Sequence, residues 1–368
     1  MIMTYQKKLK GEKIGVVFGT FAPMHQGHLD VIMRAKKECD GGCIVIASGR
    51  DDDRGGKLMP IRKRYRYIRE FFADDDLVSV YAIDESELNI PEYPNGWRSY
   101  MNEVDNIITN AVPCNCNPTY VFYVSEVEYA QELKRRGYEA VLLDRLENPI
   151  SATMIRENPL KYWDYITYPF RRVFSKNILI CGTASEGKTT LVKDLGKYFN
   201  APYSHEYARD YMEESGISEW ELDGADYLAF LDGQYQMNKK LINSPANNGI
   251  FFADSDSMTT RMYAECYCKD PNLDLTEEEF KEIAVTADAI TKKCKWDKIY
   301  VLAPAGHFYD DHTRYMEFSE LSERYELFNI LCRNIKDSGN WDKVEILDLG
   351  YYGNFKKIVN DVKEMLNK

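Results

Sequence analysis

Two short runs of this 368-residue sequence gather the residue types that hold a polyanion. The first is Gly19-Thr20-Phe21-Ala22-Pro23-Met24-His25-Gln26-Gly27-His28, which places two of the chain's five histidines three residues apart beside glycines. A glycine-containing loop that opens a helix presents unpaired backbone N–H groups at the positive end of the helix dipole, which suits a phosphate chain. His25 and His28 would flank that anion from one side, with Gly19 and Phe21 also at its site; as an alternative, two histidines at a helix start simply cap it. Later in the same half, Ile150-Ser151-Ala152-Thr153-Met154-Ile155-Arg156 offers Ser151 and Thr153 as caps of a helix whose first turn carries Arg156. The guanidinium is a planar fork of donors for phosphate oxygens.

The second run, Gly182-Thr183-Ala184-Ser185-Glu186-Gly187-Lys188-Thr189-Thr190, matches G-x-x-x-x-G-K-[ST] with a strand before it and a helix after it. Backbone N–H groups of such a loop, here from Gly182 through Glu186 and Gly187 to Thr190, wrap a triphosphate. Lys188 reaches its β and γ phosphates, and Thr189 gives a hydroxyl to Mg2+. The sequence lacks an N-K-x-D base reader and this half is small, which points to a kinase acting on ATP. Asp254 ends the run Ile250-Phe251-Phe252-Ala253-Asp254 as a carboxylate for Mg2+; Asp256 would share that role or cap the helix from Ser257. In His205-Glu206-Tyr207-Ala208-Arg209-Asp210, Glu206 stands where several small-molecule kinases keep the base for the substrate hydroxyl, with Asp256 as its rival. Asp310-Asp311-His312-Thr313-Arg314 resembles the D-G-x-R of a mobile lid, with Arg314 on the transferring phosphoryl group and His312 where the glycine is expected. Arg324 reads as an exposed helix residue or a second lid arginine.

These residues need a scaffold. Apolar runs at 14–18, 43–47, 78–81, 120–124 and 140–143 alternate with helical patterns, predicting a parallel α/β layer of about five strands. Pro159 and Pro169 interrupt the alternation between 157 and 176. The division is therefore expected near 170, giving units 1–170 and 171–368, with Tyr162, Trp163, Tyr165, Tyr168 and Phe170 packed between them. Strands are expected again at 177–181, 202–204, 250–253, 299–302 and 345–347. Thr276 with Glu279 forms a capping box, and Asp223 caps the helix that reads to Leu241.

Composition limits the partners. Hydrophobic residues at 44% and charged residues at 29% describe a folded chain, and the formal charge of −12 argues against nucleic acid, which needs a basic face. No apolar stretch approaches the roughly 18 to 20 residues of a membrane span, and the start lacks the apolar core of a signal peptide, so the expectation is a cytoplasmic protein without membrane insertion. The nine cysteines, with C-x-C pairs at Cys114/Cys116 and Cys266/Cys268, read as reduced thiols. A homo-oligomer stays open.

The two motifs of the first half, H-x-G-H at His25–His28 and I-S-x-T-x-x-R at Ile150–Arg156, resemble those of the nucleotidyltransferase superfamily. That resemblance implies a Rossmann-like domain in which an acceptor phosphate attacks the α-phosphate of ATP directly, with His25, His28, Arg156 and Mg2+ stabilising the charge and pyrophosphate leaving. Ile90-Pro-Glu-Tyr-Pro-Asn-Gly-Trp97 and the basic helix start after Met59 look like the nicotinamide-mononucleotide branch. Trp97 would stack the pyridinium, a cation–π contact of about 0.5 to 2 kcal/mol, and Arg62 and Arg64 would hold the acceptor phosphate. With a P-loop kinase domain following, the order resembles the NadR family, bifunctional nicotinamide-nucleotide adenylyltransferase and ribosylnicotinamide kinase. The implied reactions are nicotinamide riboside plus ATP to the mononucleotide, then mononucleotide plus ATP to NAD. Some members carry an N-terminal helix-turn-helix; thirteen residues before the first strand leave no room for one, so repressor activity is not implied. A different phosphate acceptor, or an ATP-binding sensor, is the competing expectation.

Overall fold

The computed structural model describes residues 7–50, 58–144, 150–305, 308 and 319–367. The chain divides into two compact units, Met1–Phe174 and Ser175–Lys368.

The first unit runs β1 (Lys13–Gly19), α1 (Gln26–Glu38), β2 (Cys43–Gly49), α2 (Ile61–Phe71), β3 (Val78–Asp84), α3 (Trp97–Asn110), β4 (Thr119–Val124), α4 (Val127–Arg135), β5 (Glu139–Leu142), α5 (Ala152–Glu157) and α6 (Tyr168–Arg171). Its five strands lie in the order β3-β2-β1-β4-β5, and every pairing is parallel. Every residue of β2 is buried, as expected of a strand covered on both faces. Successive side chains leave a strand on opposite faces, so Val17 and Val45 join one core with α1 and α2, while Val16 and Ile44 join another with α3 and α4. Since β1 pairs with β2 on one side and β4 on the other, the order reverses there, and the loops beyond those strands part to leave a crevice.

The aromatic-rich run was expected between the domains, yet Trp163, Ile166 and Phe170 are buried in the first unit's own core. Thr167 fastens them, since its N–H and hydroxyl both donate to the Met24 carbonyl at 3.3 and 3.0 Å. Burial against α1 and α2 draws these side chains inward, while Tyr165 and Tyr168 stay exposed.

The second unit runs β6 (Lys176–Gly182), α7 (Lys188–Phe199), β7 (Tyr203–Ser204), α8 (Tyr207–Ser215), α9 (Gly224–Ile242), β8 (Ile250–Asp254), α10 (Ser257–Tyr267), α11 (Glu277–Thr291), β9 (Lys298–Leu302), α12 (Leu321–Asp337), β10 (Val344–Leu347) and α13 (Gly350–Asn367). Its sheet is also parallel, in the order β10-β9-β6-β8-β7. Here β6 is the strand where the order reverses, so the loop it feeds stands over the second crevice. Thr276 and Asp223 cap α11 and α9, each in a reciprocal box with the residue three positions on.

Candidate active sites

In the first unit, β1 delivers the chain to the loop and α1 starts at its far end. His25 is the N-cap of α1: its Nδ1 accepts the Gly27 N–H at 3.1 Å, and Nδ1 of His28 accepts the His25 N–H at 3.4 Å. An imidazole whose Nδ1 accepts carries its hydrogen on Nε2 when neutral. Burial pushes His25 down to about 4, with Asp30 pulling the other way, and holds His28 well below the ordinary histidine value, with His25 adding to the effect. The ring centroids stand 3.9 Å apart, so the site has two adjacent uncharged imidazoles near neutral pH. Capping and anion contact are therefore compatible: Nδ1 serves the helix and Nε2–H remains as a donor.

Arg156, 134 residues from Ala22 in sequence, donates to the Ala22 carbonyl at 2.6 Å, which brings the second motif to the histidine loop. Its other terminal nitrogen donates to the Thr153 hydroxyl at 3.0 Å. Ser151 caps α5 by accepting the Met154 N–H at 3.2 Å. Thr153 lies inside α5, and Arg156 occupies its last turn instead of the first. Gly19 closes β1, while the buried Phe21 ring packs against the His28 ring with centroids 4.8 Å apart.

Arg64 departs from expectation. It is fully buried, donating to the carbonyls of Thr20 at 2.8 Å, Ser48 at 3.2 Å and Arg50 at 3.3 Å. Its guanidinium ties together the chain leaving β1 and the end of β2, a use of its donors that takes the place of the expected acceptor-phosphate contact. Arg62, two positions earlier in the same helix, is exposed. Trp97 begins α3 within a cluster the sequence reading missed: Tyr129 stacks on it at 5.1 Å, Tyr100 at 6.1 Å, and Phe18 and Tyr93 meet it at 6.3 and 5.8 Å. Its indole Nε1 is buried without a hydrogen-bond partner among the described residues.

In the second unit the loop after β6 turns on Gly182, φ +149°, where a Cβ would stand 2.9 Å from the Leu302 carbonyl, and on Gly187, the left-handed N-cap of α7 at φ +76°. Lys188 is buried and donates to the Thr183 carbonyl at 2.8 Å, while Thr189 and Thr190 are exposed on the first turn of α7. The Thr189 hydroxyl donates to Asp254 Oδ2. Asp254 is fully buried, and desolvation raises its pKa to about 6, with Lys188 opposing the shift and Glu206 adding to it. Glu206 precedes α8, and its Oε2 accepts from Arg209 Nε at 3.0 Å.

Asp256 does not join them. Its Oδ1 caps α10 by accepting the Met258 N–H at 3.0 Å, and its Oδ2 accepts from Trp296 Nε1 at 3.1 Å. Its carboxylate serves the helix cap, the alternative role expected of it. Glu186, expected at the phosphates, is paired with Arg324, and Arg324 is buried where an exposed residue was expected. Arg314 and His312 lie outside the described residues.

Lys188, Glu206 and Arg209 line a cleft with an aromatic wall: Tyr227, Phe230, Tyr263 and Tyr267. Glu219 also lines it and accepts from the Tyr267 hydroxyl at 3.1 Å. These residues escaped the sequence reading because their helices are apolar in several directions; the spacings Tyr227/Phe230 and Tyr263/Tyr267 were the available signal.

Both units are similar to known proteins. Residues 16–158 match a cytidylyltransferase-like family and residues 177–339 an AAA domain. The trifunctional NAD biosynthesis/regulator proteins NadR of Salmonella typhimurium and Escherichia coli are each 28% identical over 367 residues, covering 97% and 96% of this chain and 84% of each relative. A crystal structure of a NadR protein in complex with NR is 40% identical, covers 93% of this chain and 90% of its own, and superposes with a TM-score of 0.82. The chain belongs to the NadR family. A second NadR structure, in complex with NAD and AMP-PNP, is 37% identical, with 98% of both chains covered and a TM-score of 0.82. Membership of the NadR family makes the chain a nucleotidyltransferase and a kinase of NAD biosynthesis, one activity for each unit. The acceptor-phosphate and sensor alternatives therefore lose their basis. No helix among the described residues is long and apolar enough to cross a membrane.

Proposed function

We propose that the second unit phosphorylates nicotinamide riboside with ATP and that the first unit joins the resulting mononucleotide to ATP, releasing pyrophosphate and NAD. The observation that carries this reading is the pairing of two phosphate-gripping loops in one chain of this family, His25/His28/Arg156 on one unit and Lys188/Thr189/Asp254 on the other.

In the first unit, the Nε2–H groups of His25 and His28 and the Arg156 guanidinium donate to triphosphate oxygens as the mononucleotide phosphate attacks the α-phosphorus. Neutral imidazoles suit a site that must also admit the pyridinium cation. Trp97 and its aromatic neighbours give that ring a stacking surface. Arg64 acts at one remove by holding the Thr20 carbonyl.

In the second unit, Lys188 exchanges the Thr183 carbonyl for the β and γ phosphates. Glu206, steadied by Arg209, accepts the proton of the riboside 5′-hydroxyl as it attacks the γ-phosphorus. The aromatic wall and Glu219 fit a flat cationic base. Thr189 and Asp254 fit Mg2+: burial leaves the Asp254 carboxylate poorly compensated, and among the described residues no group of three or more His, Cys, Asp or Glu forms a closed cage. When bound, Mg2+ neutralises charge on the β and γ oxygens. All nine cysteines are free, which supports a reducing, cytoplasmic setting.

The test is to incubate the purified chain with ATP, Mg2+ and nicotinamide riboside and follow the products. Mononucleotide and ADP should appear first, then NAD and pyrophosphate. Consumption of ATP without either pyridine product would overturn the reading.

A further inference from the structure

A carboxylate inside a phosphate-binding loop is an electrostatic anomaly. Glu186 stands directly between Ser185 and Gly187, in the loop that must wrap a polyanion, and its side chain is only 2% exposed. A buried charge persists only where it is paired and hydrogen-bonded. Three donors converge on it. Arg324, with a side chain 1% exposed, places NH2 against Oε1. The Ala305 N–H donates to both oxygens at 3.2 and 3.0 Å, and the Thr183 hydroxyl donates to Oε1 at 3.2 Å. Arg324 also donates to the carbonyls of Ala305 at 2.8 Å and Ala184 at 3.4 Å. The pair therefore fastens the phosphate loop to the chain beyond β9 and to the first turn of α12. Among the described residues, Lys188, the side chain the phosphates need, also acts on Glu186.

We propose that Arg324 is a positioning residue of the kinase unit: it neutralises Glu186, holds the phosphate loop in its wrapped form, and so keeps Lys188 available for the triphosphate. Without Arg324, Glu186 draws Lys188 to itself and repels incoming phosphates. ATP binding then suffers more than turnover, while the aromatic wall of the riboside cleft, built on α9 and α10, keeps its hold on the base. This inference rests on the kinase reading above.

Steady-state riboside phosphorylation by the full-length protein tests it. R324M should raise KM for ATP at least tenfold and lower kcat by less than that, with the dissociation constant for riboside unchanged. R324K should recover part of the loss. The double variant E186Q/R324M, which removes both charges, should return KM for ATP to within about threefold of the wild type, although a pair that only braced the fold would show no recovery. An unchanged KM in R324M, or a double variant as poor as the single, overturns the proposal. Should R324M fail to fold, E186Q/R324M decides alone: a tenfold rise in its KM refutes the idea. If the wild-type protein gives no riboside-dependent ADP, the functional reading has failed instead, and the affinity for AMP-PNP in R324M against wild type still judges Arg324.

Discussion

A histidine whose Nδ1 already accepts a backbone hydrogen bond has one hydrogen to give, and its direction is set before any ligand arrives. His25 and His28 are both in that state, and burial keeps both uncharged through the neutral range. Their imidazole resonances, assigned against H25A and H28A, should therefore not shift between pH 8 and pH 5.5; a titration near 6.5 in either ring would contradict the geometry. The same displacement carries a stability consequence. Unfolded histidine binds a proton below about 6.5 and folded His25 only below about 4, so the first unit loses stability as pH falls through that window. Arg64 and Arg324 show what residue type alone conceals. Arg64 lies three positions after Ile61 and four before Ile68, on the buried stripe of α2, and Arg324 precedes Leu327, Phe328 and Leu331 in the same manner on α12. The helical spacing was a legible sign that both point inward. What each would meet there was not, because the carbonyls and the carboxylate come from distant strands and loops.

At the level of elements, the helices begin where short polar side chains can satisfy free N–H groups, and these starts were readable because a cap and its reciprocal partner sit three residues apart. Thr276→Ala removes the hydroxyl that accepts the Glu279 N–H at 3.2 Å. It should cost about 1 kcal/mol in denaturant unfolding and leave both activities intact. Arg64→Met should be worse, since it strips a charged donor from three carbonyls at once, with an expected loss of about 3 kcal/mol or more. Adenylylation should fall along with it while riboside phosphorylation persists, because the strands that Arg64 ties are those that present the histidine loop. Assays of both reactions on one preparation check this. The switch strands β1 and β6 place each loop at a crevice, which follows from the sheet order and not from either motif.

For the whole molecule, each unit has its own parallel sheet and its own cores, from Leu9 to Phe174 in the first and from Ile178 to Val362 in the second. Their chemistry should therefore separate by mutation. Lys188→Ala should abolish riboside phosphorylation and spare NAD formation from mononucleotide, and His28→Ala should do the reverse. An equimolar mixture of the two variants should convert riboside to NAD, because the mononucleotide made by one protein can reach the other through solution. A mixture that yields mononucleotide but no NAD would show that the intermediate must pass within one chain.

The sequence by itself determined the strand and helix order and the residues of the two loops. Those features depend on contacts within a few positions: alternation of apolar residues, a cap and its partner, a run of backbone N–H groups at a helix start. Tertiary structure decided everything that depends on an approach between distant parts of the chain. It sent Arg64 to carbonyls and Arg324 to Glu186, committed Asp256 to Trp296, and gathered the aromatic wall from α9 and α10. A guanidinium or carboxylate looks the same in sequence whether it meets a ligand or the protein's own polar groups, and only desolvation in the folded state forces the choice.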